Sequence, residues 1–149
     1  MTNTDALYQE IILEHNRKPR NFREMENADR TVPGRNPACG DELTLWIKMD
    51  GETVSDISFK GQGCAISKAS ASLMTAAVKG KTRGEAEVLF ERFHLLVTGK
   101  MPEDEQATMG SLRALGGVSR FPIRVKCASL AWHALHLALA PGAPPATGV

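Results

Sequence analysis

Three cysteines and one aspartate are the residues of this 149-residue chain best equipped for chemistry. Cys39 and Asp41 lie in Asn36-Pro37-Ala38-Cys39-Gly40-Asp41, Cys64 follows Gly61-Gln62-Gly63, and Cys127 stands far downstream. An odd number of cysteines, behind a polar Met1–Glu10 start with no signal-type apolar core, fits a disulfide framework poorly. The thiols are then inert buried side chains, nucleophiles or metal ligands. Taken together, three thiolates and a carboxylate supply the four ligands that a tetrahedral zinc requires. Such a site would be doubly negative. Its one hard oxygen is the weakest match for a thiophilic metal. That composition suits ligand exchange, sulfur delivery or cluster hand-over better than permanent bracing.

The elements around these residues must bring them together. Leu43, Leu45 and Ile47 alternate with Thr44, Trp46 and Lys48, Asp50-Gly51 signals a tight turn, and Val54, Ile57 and Phe59 follow. This hairpin sets the start of one strand beside the end of the other, so Cys39 and Cys64 become neighbours although 25 residues apart. Asp41, two residues beyond Cys39, shares its face in extended chain. Ser55-Asp56 interrupts the alternation and predicts a bulge. Cys64 launches a helix carrying Ile66, Ala69, Leu73, Ala76 and Ala77, which Gly80 stops. The last helix is expected from about Lys126 to Ala140, with Cys127 at its start. Helix starts favour thiolates through free N–H groups and the dipole. Gly40, Gly61 and Gly63 permit close backbone approach, or are ordinary turn glycines.

Elsewhere, Thr4 or Asp5 opens a helix running to about His15, with Leu7, Tyr8, Ile11 and Ile12 as its apolar stripe. Residues 22–38 read as loop with at most one edge strand near Thr31. Thr82 and Glu85 form a capping box for a helix whose face is Leu89, Phe93, Leu96 and Val97. A short helix is expected around Ser111–Leu115, ended by Gly116-Gly117. The Pro/Gly/Ala-rich tail 141–149 reads as disordered. Helices following a small antiparallel sheet of about three strands indicate an α+β fold, with the helices on one face. His15, His94, His133 and His136 are set aside as ligands, Trp46 and Trp132 are assigned to packing, and Arg17, Lys18 and Arg20 to solvated surface.

Bulk properties narrow the function class. Lys and Arg total 18 against 17 Asp and Glu, a net charge of +1, so there is no basic surplus for nucleic acid. No apolar run reaches the roughly 18 residues of a membrane span. A soluble cytoplasmic protein is expected.

Three stretches resemble the IscU/SufU family of iron–sulfur assembly proteins, related to the N-terminal domain of NifU. They are Asn36-Pro-Ala-Cys-Gly-Asp41, Gly61-Gln-Gly-Cys-Ala-Ile-Ser67 and Arg124-Val-Lys-Cys-Ala-Ser-Leu130. His15 with Pro19-Arg20-Asn21 fits as well, and the likeness covers almost the whole chain as one domain over residues 1–140. IscU-type scaffolds carry a histidine where this chain has Lys126, and a chaperone-recognised Leu-Pro-Pro-Val-Lys where it has Phe121-Pro-Ile-Arg-Val-Lys126. The Cys64–Cys127 interval is also longer, by about one helical hairpin. These departures resemble the SufU branch.

The resemblance implies a zinc site of Cys39, Asp41, Cys64 and Cys127, and sulfur acceptance from the persulfide of a cysteine desulfurase, with Cys39 as acceptor. A desulfurase histidine would displace Cys39 from zinc, and the freed thiolate would attack the persulfide. The same four ligands could instead hold iron or a [2Fe–2S] cluster, assembled and passed to downstream assembly proteins or apo-proteins. Either way the chain is a carrier or scaffold, sulfurtransferase-like at most. Arg124 and Lys126 would neutralise the site or dock the partner.

Overall fold

A three-stranded antiparallel meander forms the floor of the structure, a computed structural model that describes residues 3–37, 40–140 and 146–147. Its strands are β1 (Arg30–Asn36), β2 (Asp41–Asp50) and β3 (Thr53–Gln62). A two-residue strand, β4 (Ala146–Thr147), pairs parallel to β1 at Gly34 and Arg35, giving the order β3-β2-β1-β4. The rest of the tail expected to be disordered lies outside the described residues. At Ala146–Thr147 the expectation differs from the structure because composition cannot register an open strand edge. The strand expected near Thr31 spans seven residues, with Val32, Gly34 and Asn36 buried and Thr31, Pro33 and Arg35 exposed. β1 meets β4 only at Gly34 and Arg35. That nearly open edge tolerates Pro33, which has no N–H to donate.

The buried face of the sheet carries Leu45, Ile47, Val54, Ile57 and Phe59, all essentially solvent-free. Full burial of such a side chain is worth about 2 kcal/mol. Helix α1 (Asn3–Arg17) lies on α2 (Ala65–Val78), α2 lies on β3, and α5 (Pro122–Leu139) crosses β1 and β2. At Gly34 the strand meets α5, with Leu130 alongside. Helix α3 (Arg83–Val97), the short α4 (Glu103–Gln106) and a 3₁₀ segment (Ala107–Arg120) pack behind α5. Trp132 anchors this layer, stacked on Phe93 at 4.3 Å and donating from Nε1 to Ser70 Oγ. The α+β arrangement is the expected one.

The bulge is present: Lys48 pairs with Asp56 and Met49 with Val54, which leaves Ser55 extra. The Ser55 hydroxyl donates to Lys48 O at 3.1 Å. Partial burial works to raise the Asp56 pKa. Hydrogen bonds from Arg23, the Ile57 N–H and Lys79 outweigh it and hold the carboxyl below its ordinary range.

Two helical expectations are corrected. The Ser111–Leu115 helix is part of a longer 3₁₀ run that Gly116-Gly117 does not break; the kink falls at Gly110, at φ 59° and ψ −138°. The last helix begins at Pro122, not Lys126. Proline suits the first helical position, because its missing N–H would be unbonded there and its φ is already helical.

Candidate metal centre

Asp41 is the first residue of β2, and its carboxylate is fully buried. The hairpin register pairs Glu42 with Gln62, which carries Gly63 and Cys64 alongside it. The Cys64 N–H donates to Asp41 Oδ1 at 3.0 Å. Gly63 is obligatory here, since a Cβ at that position would run into Asp41 Oδ1. Cys64 caps α2, and its Sγ accepts the Ser67 N–H at 3.4 Å. A sulfur in this capping position faces the positive end of the helix dipole.

Cys127 reaches the same point from the other side. It is 1% exposed and sits in the second turn of α5. Its expected place at a helix start is therefore not observed, because Pro122 sets the start a turn earlier. Burial between α5 and the sheet positions this thiol, since a helix dipole fades beyond the first turn.

The ligating atoms of Asp41, Cys64 and Cys127 lie within 4.8 Å of one another. Asp41 Oδ2 is buried and has no hydrogen-bond partner among the described residues. A buried carboxylate oxygen without a partner is costly, so it marks a place where a cation belongs. Two sulfurs and one unpartnered oxygen converging from three elements fit a zinc-type ion. Cys39 and its neighbour Ala38 lie outside the described residues. On either side of them, the Gly40 N–H donates to Asn36 O at 2.9 Å, with Gly40 at φ 70°.

No histidine joins this group among the described residues. His15 is buried, with Nδ1 2.7 Å from Ser72 Oγ. Burial chiefly lowers its pKa, the Arg20 charge adds to that, and Glu14 opposes it. His133 is lowered by burial and then by His94 and His136. His133 meets Phe90 edge-on, while His136 stacks on it and lies 2.8 Å from Glu87. Arg124 and Lys126 are exposed on the first turns of α5.

Sequence reasoning passed over two features. Asn36 is buried beside Asp41, as the i, i+2 parity with Val32 and Gly34 could have revealed. Phe121 and Ile123 are 57% and 66% exposed next to Arg120 and Arg124. Behind them, Tyr8, Ile12, Ile66, Val118 and Phe121 line a groove of about 380 Å³. The groove joins side chains of α1, α2 and the 3₁₀ segment, a meeting of elements that periodicity within one element does not encode.

Residues 7–140 match the model of the NifU-like N-terminal domain. The chain is 44% identical over 138 residues to the zinc-dependent sulfurtransferase SufU of Bacillus subtilis, covering 93% of this chain and 92% of that protein. It is 37% identical over 139 residues to the iron–sulfur cluster assembly scaffold protein IscU of Streptococcus pyogenes, covering 93% and 86%. A crystal structure from Fervidobacterium islandicum, provisionally described as an iron–sulfur cluster assembly scaffold for the SUF system, superposes with a TM-score of 0.82 at 34% identity. That match covers 92% of this chain and 99% of the other. By matched length and by shared architecture, this chain belongs to the family of NifU-like N-terminal domains.

Proposed function

We propose that this protein is a zinc-dependent sulfur acceptor for a cysteine desulfurase in iron–sulfur cluster assembly, working in the cytoplasm as a single unit over residues 1–140. The observation that carries this reading is the convergence of Asp41, Cys64 and Cys127 around an unpartnered Asp41 oxygen. The zinc-dependent sulfurtransferase among its relatives supports it. Cys39 is the fourth ligand and the acceptor. Zinc at this site keeps the cysteines ionised at neutral pH. Cys64 and Cys127 stay as anchors, one held by its cap and the other by burial. Asp41 keeps the site exchangeable, and Cys39 is the ligand that a desulfurase histidine would displace before it reacts.

In the transfer, the Cys39 thiolate attacks the terminal sulfur of the desulfurase persulfide. An S–S bond forms on Cys39, the desulfurase S–S bond breaks, and that cysteine leaves as thiolate; nothing is oxidised or reduced overall. Arg124 and Lys126, with the exposed Phe121 and Ile123, form the docking surface beside the site. Mixing the protein with a cysteine desulfurase and cysteine should place one extra sulfur on Cys39 by mass spectrometry. Full stimulation of the desulfurase by Cys39→Ser would sink the proposal.

A second reading uses the same ligands to build a [2Fe–2S] cluster and pass it to apo-proteins, as the name of the IscU relative suggests. Metal analysis of the purified protein separates the two. Zinc at one per chain favours sulfur acceptance, while iron with acid-labile sulfide favours the scaffold.

A further inference from the structure

Two of the converging donors stand on separate helices, Cys64 as the cap of α2 and Cys127 in the second turn of α5. Whatever fixes those helices against each other also fixes the distance between the two sulfurs. Both helices bury small side chains, Ala69 and Ala71 on one, Ala128 and Ala131 on the other. Burial of this kind is non-directional and does not choose a register. Ser70 supplies a direction. It is fully buried in the second turn of α2, and its hydroxyl donates at 2.6 Å to the carbonyl oxygen of Ala128, the residue directly after Cys127. Its oxygen in turn accepts the indole N–H of Trp132 at 3.1 Å, one turn further along α5. In mid-helix the Ala128 carbonyl already serves the N–H four residues on, so α5 does not need Ser70 in order to form. The effect of this bond falls between the helices.

Resting on the metal-site reading above, we propose that Ser70 is a positioning residue of the metal centre: by tying α2 to the carbonyl next to Cys127, it sets the separation of the Cys64 and Cys127 sulfurs. A slip of α5 by one residue along its axis would carry Cys127 about 1.5 Å. A ligand constellation tolerates displacements of about 0.5 Å. Breaking the Ser70 bond would leave a hydroxyl without its acceptor away from water, so the slip is opposed by more than apolar contact.

The test uses the full-length chain. Ser70→Ala removes the bond to Ala128 and leaves the buried Trp132 N–H without a partner, so it should melt below wild type. Trp132→Phe keeps the Ser70–Ala128 bond and controls for lost stability. Zinc alone gives the affinity by competition with a chromophoric chelator, and cobalt(II) alone reports the geometry through its ligand-field bands. Ser70→Ala is expected to bind zinc about tenfold more weakly, with cobalt bands shifted as the ligand angles change. Trp132→Phe should also melt lower, yet bind within about twofold of wild type with unmoved bands. Wild-type affinity and bands in Ser70→Ala would overturn the proposal. So would a loss in Trp132→Phe as large as in Ser70→Ala, which would reduce the effect to general destabilisation. If Ser70→Ala does not fold, the double variant Ser70→Ala/Trp132→Phe, which removes the N–H along with its acceptor, takes its place. Weaker zinc binding by about tenfold there supports the proposal, while wild-type binding or failure to fold overturns it. Wild type that develops no cobalt band would instead sink the metal-site reading itself.

Discussion

Asp41 has two different oxygens. Oδ1 is bound by the Cys64 N–H and so fixes the carboxylate to the start of α2; Oδ2 is left for a cation. Gly63 makes the arrangement possible by leaving no Cβ in the space that Oδ1 occupies. Gly63→Ala should push the carboxylate off the Cys64 N–H, costing about 1–3 kcal/mol in fold stability. The same change should weaken zinc about 10–100-fold, as lost orientation of a ligand generally does. Chelator competition reads the affinity, and unchanged binding would show that Gly63 does not position Asp41.

At the scale of elements, caps and turns can be separated from the site. The Thr82–Glu85 box caps α3 with both reciprocal hydrogen bonds, at 3.1 and 3.0 Å, and α3 supplies no ligand. Thr82→Ala should therefore cost about 1 kcal/mol in urea unfolding. It should leave zinc affinity as it is. A parallel loss of metal binding would show that α3 and the centre are coupled.

The elements legible in the sequence were those whose signals are local. The Asp50-Gly51 turn, the Ser55 bulge, the Cys64 cap and the Thr82 box all depend on residues within a few positions of one another. The convergence of Asp41, Cys64 and Cys127 was legible because the hairpin joins two of its members and a family likeness adds the third. What escaped depended on contacts between elements. Pro122 could end a loop or begin a helix, and its neighbours alone do not decide. Gly116-Gly117 reads as a break, yet this stretch stays 3₁₀ because its flanking Leu115 and Val118 are packed against the core. Asn36 was read as part of a polar loop, because β1 becomes a strand only when β2 lies beside it.

At the scale of the molecule, helix α1 and the α3–α5 seam each hold a histidine with a lowered pKa, His15 and His133. The sign follows from proton uptake. Above the unfolded value of about 6.5 neither state is protonated and there is no effect. Below it the unfolded chain binds protons that the folded chain resists, so stability falls as pH drops. Metal-free protein should unfold at lower urea concentration at about pH 5.5 than at about 7.5. His133→Leu should flatten that slope. An unchanged slope would assign the acid sensitivity to His15 or to the carboxylates.

The three described donors sit on β2, at the head of α2 and in α5, and that spacing has a consequence during synthesis. A nascent chain emerges from its N-terminus and folds in that order. When the first two-thirds are available, the hairpin can already set Asp41 against Cys64. The site still lacks Cys127, a third of its described donors. Only when α5 docks across β1 and β2 does Cys127 complete this group. On the proposed metal reading, the full donor set therefore exists only once the last long helix is in place.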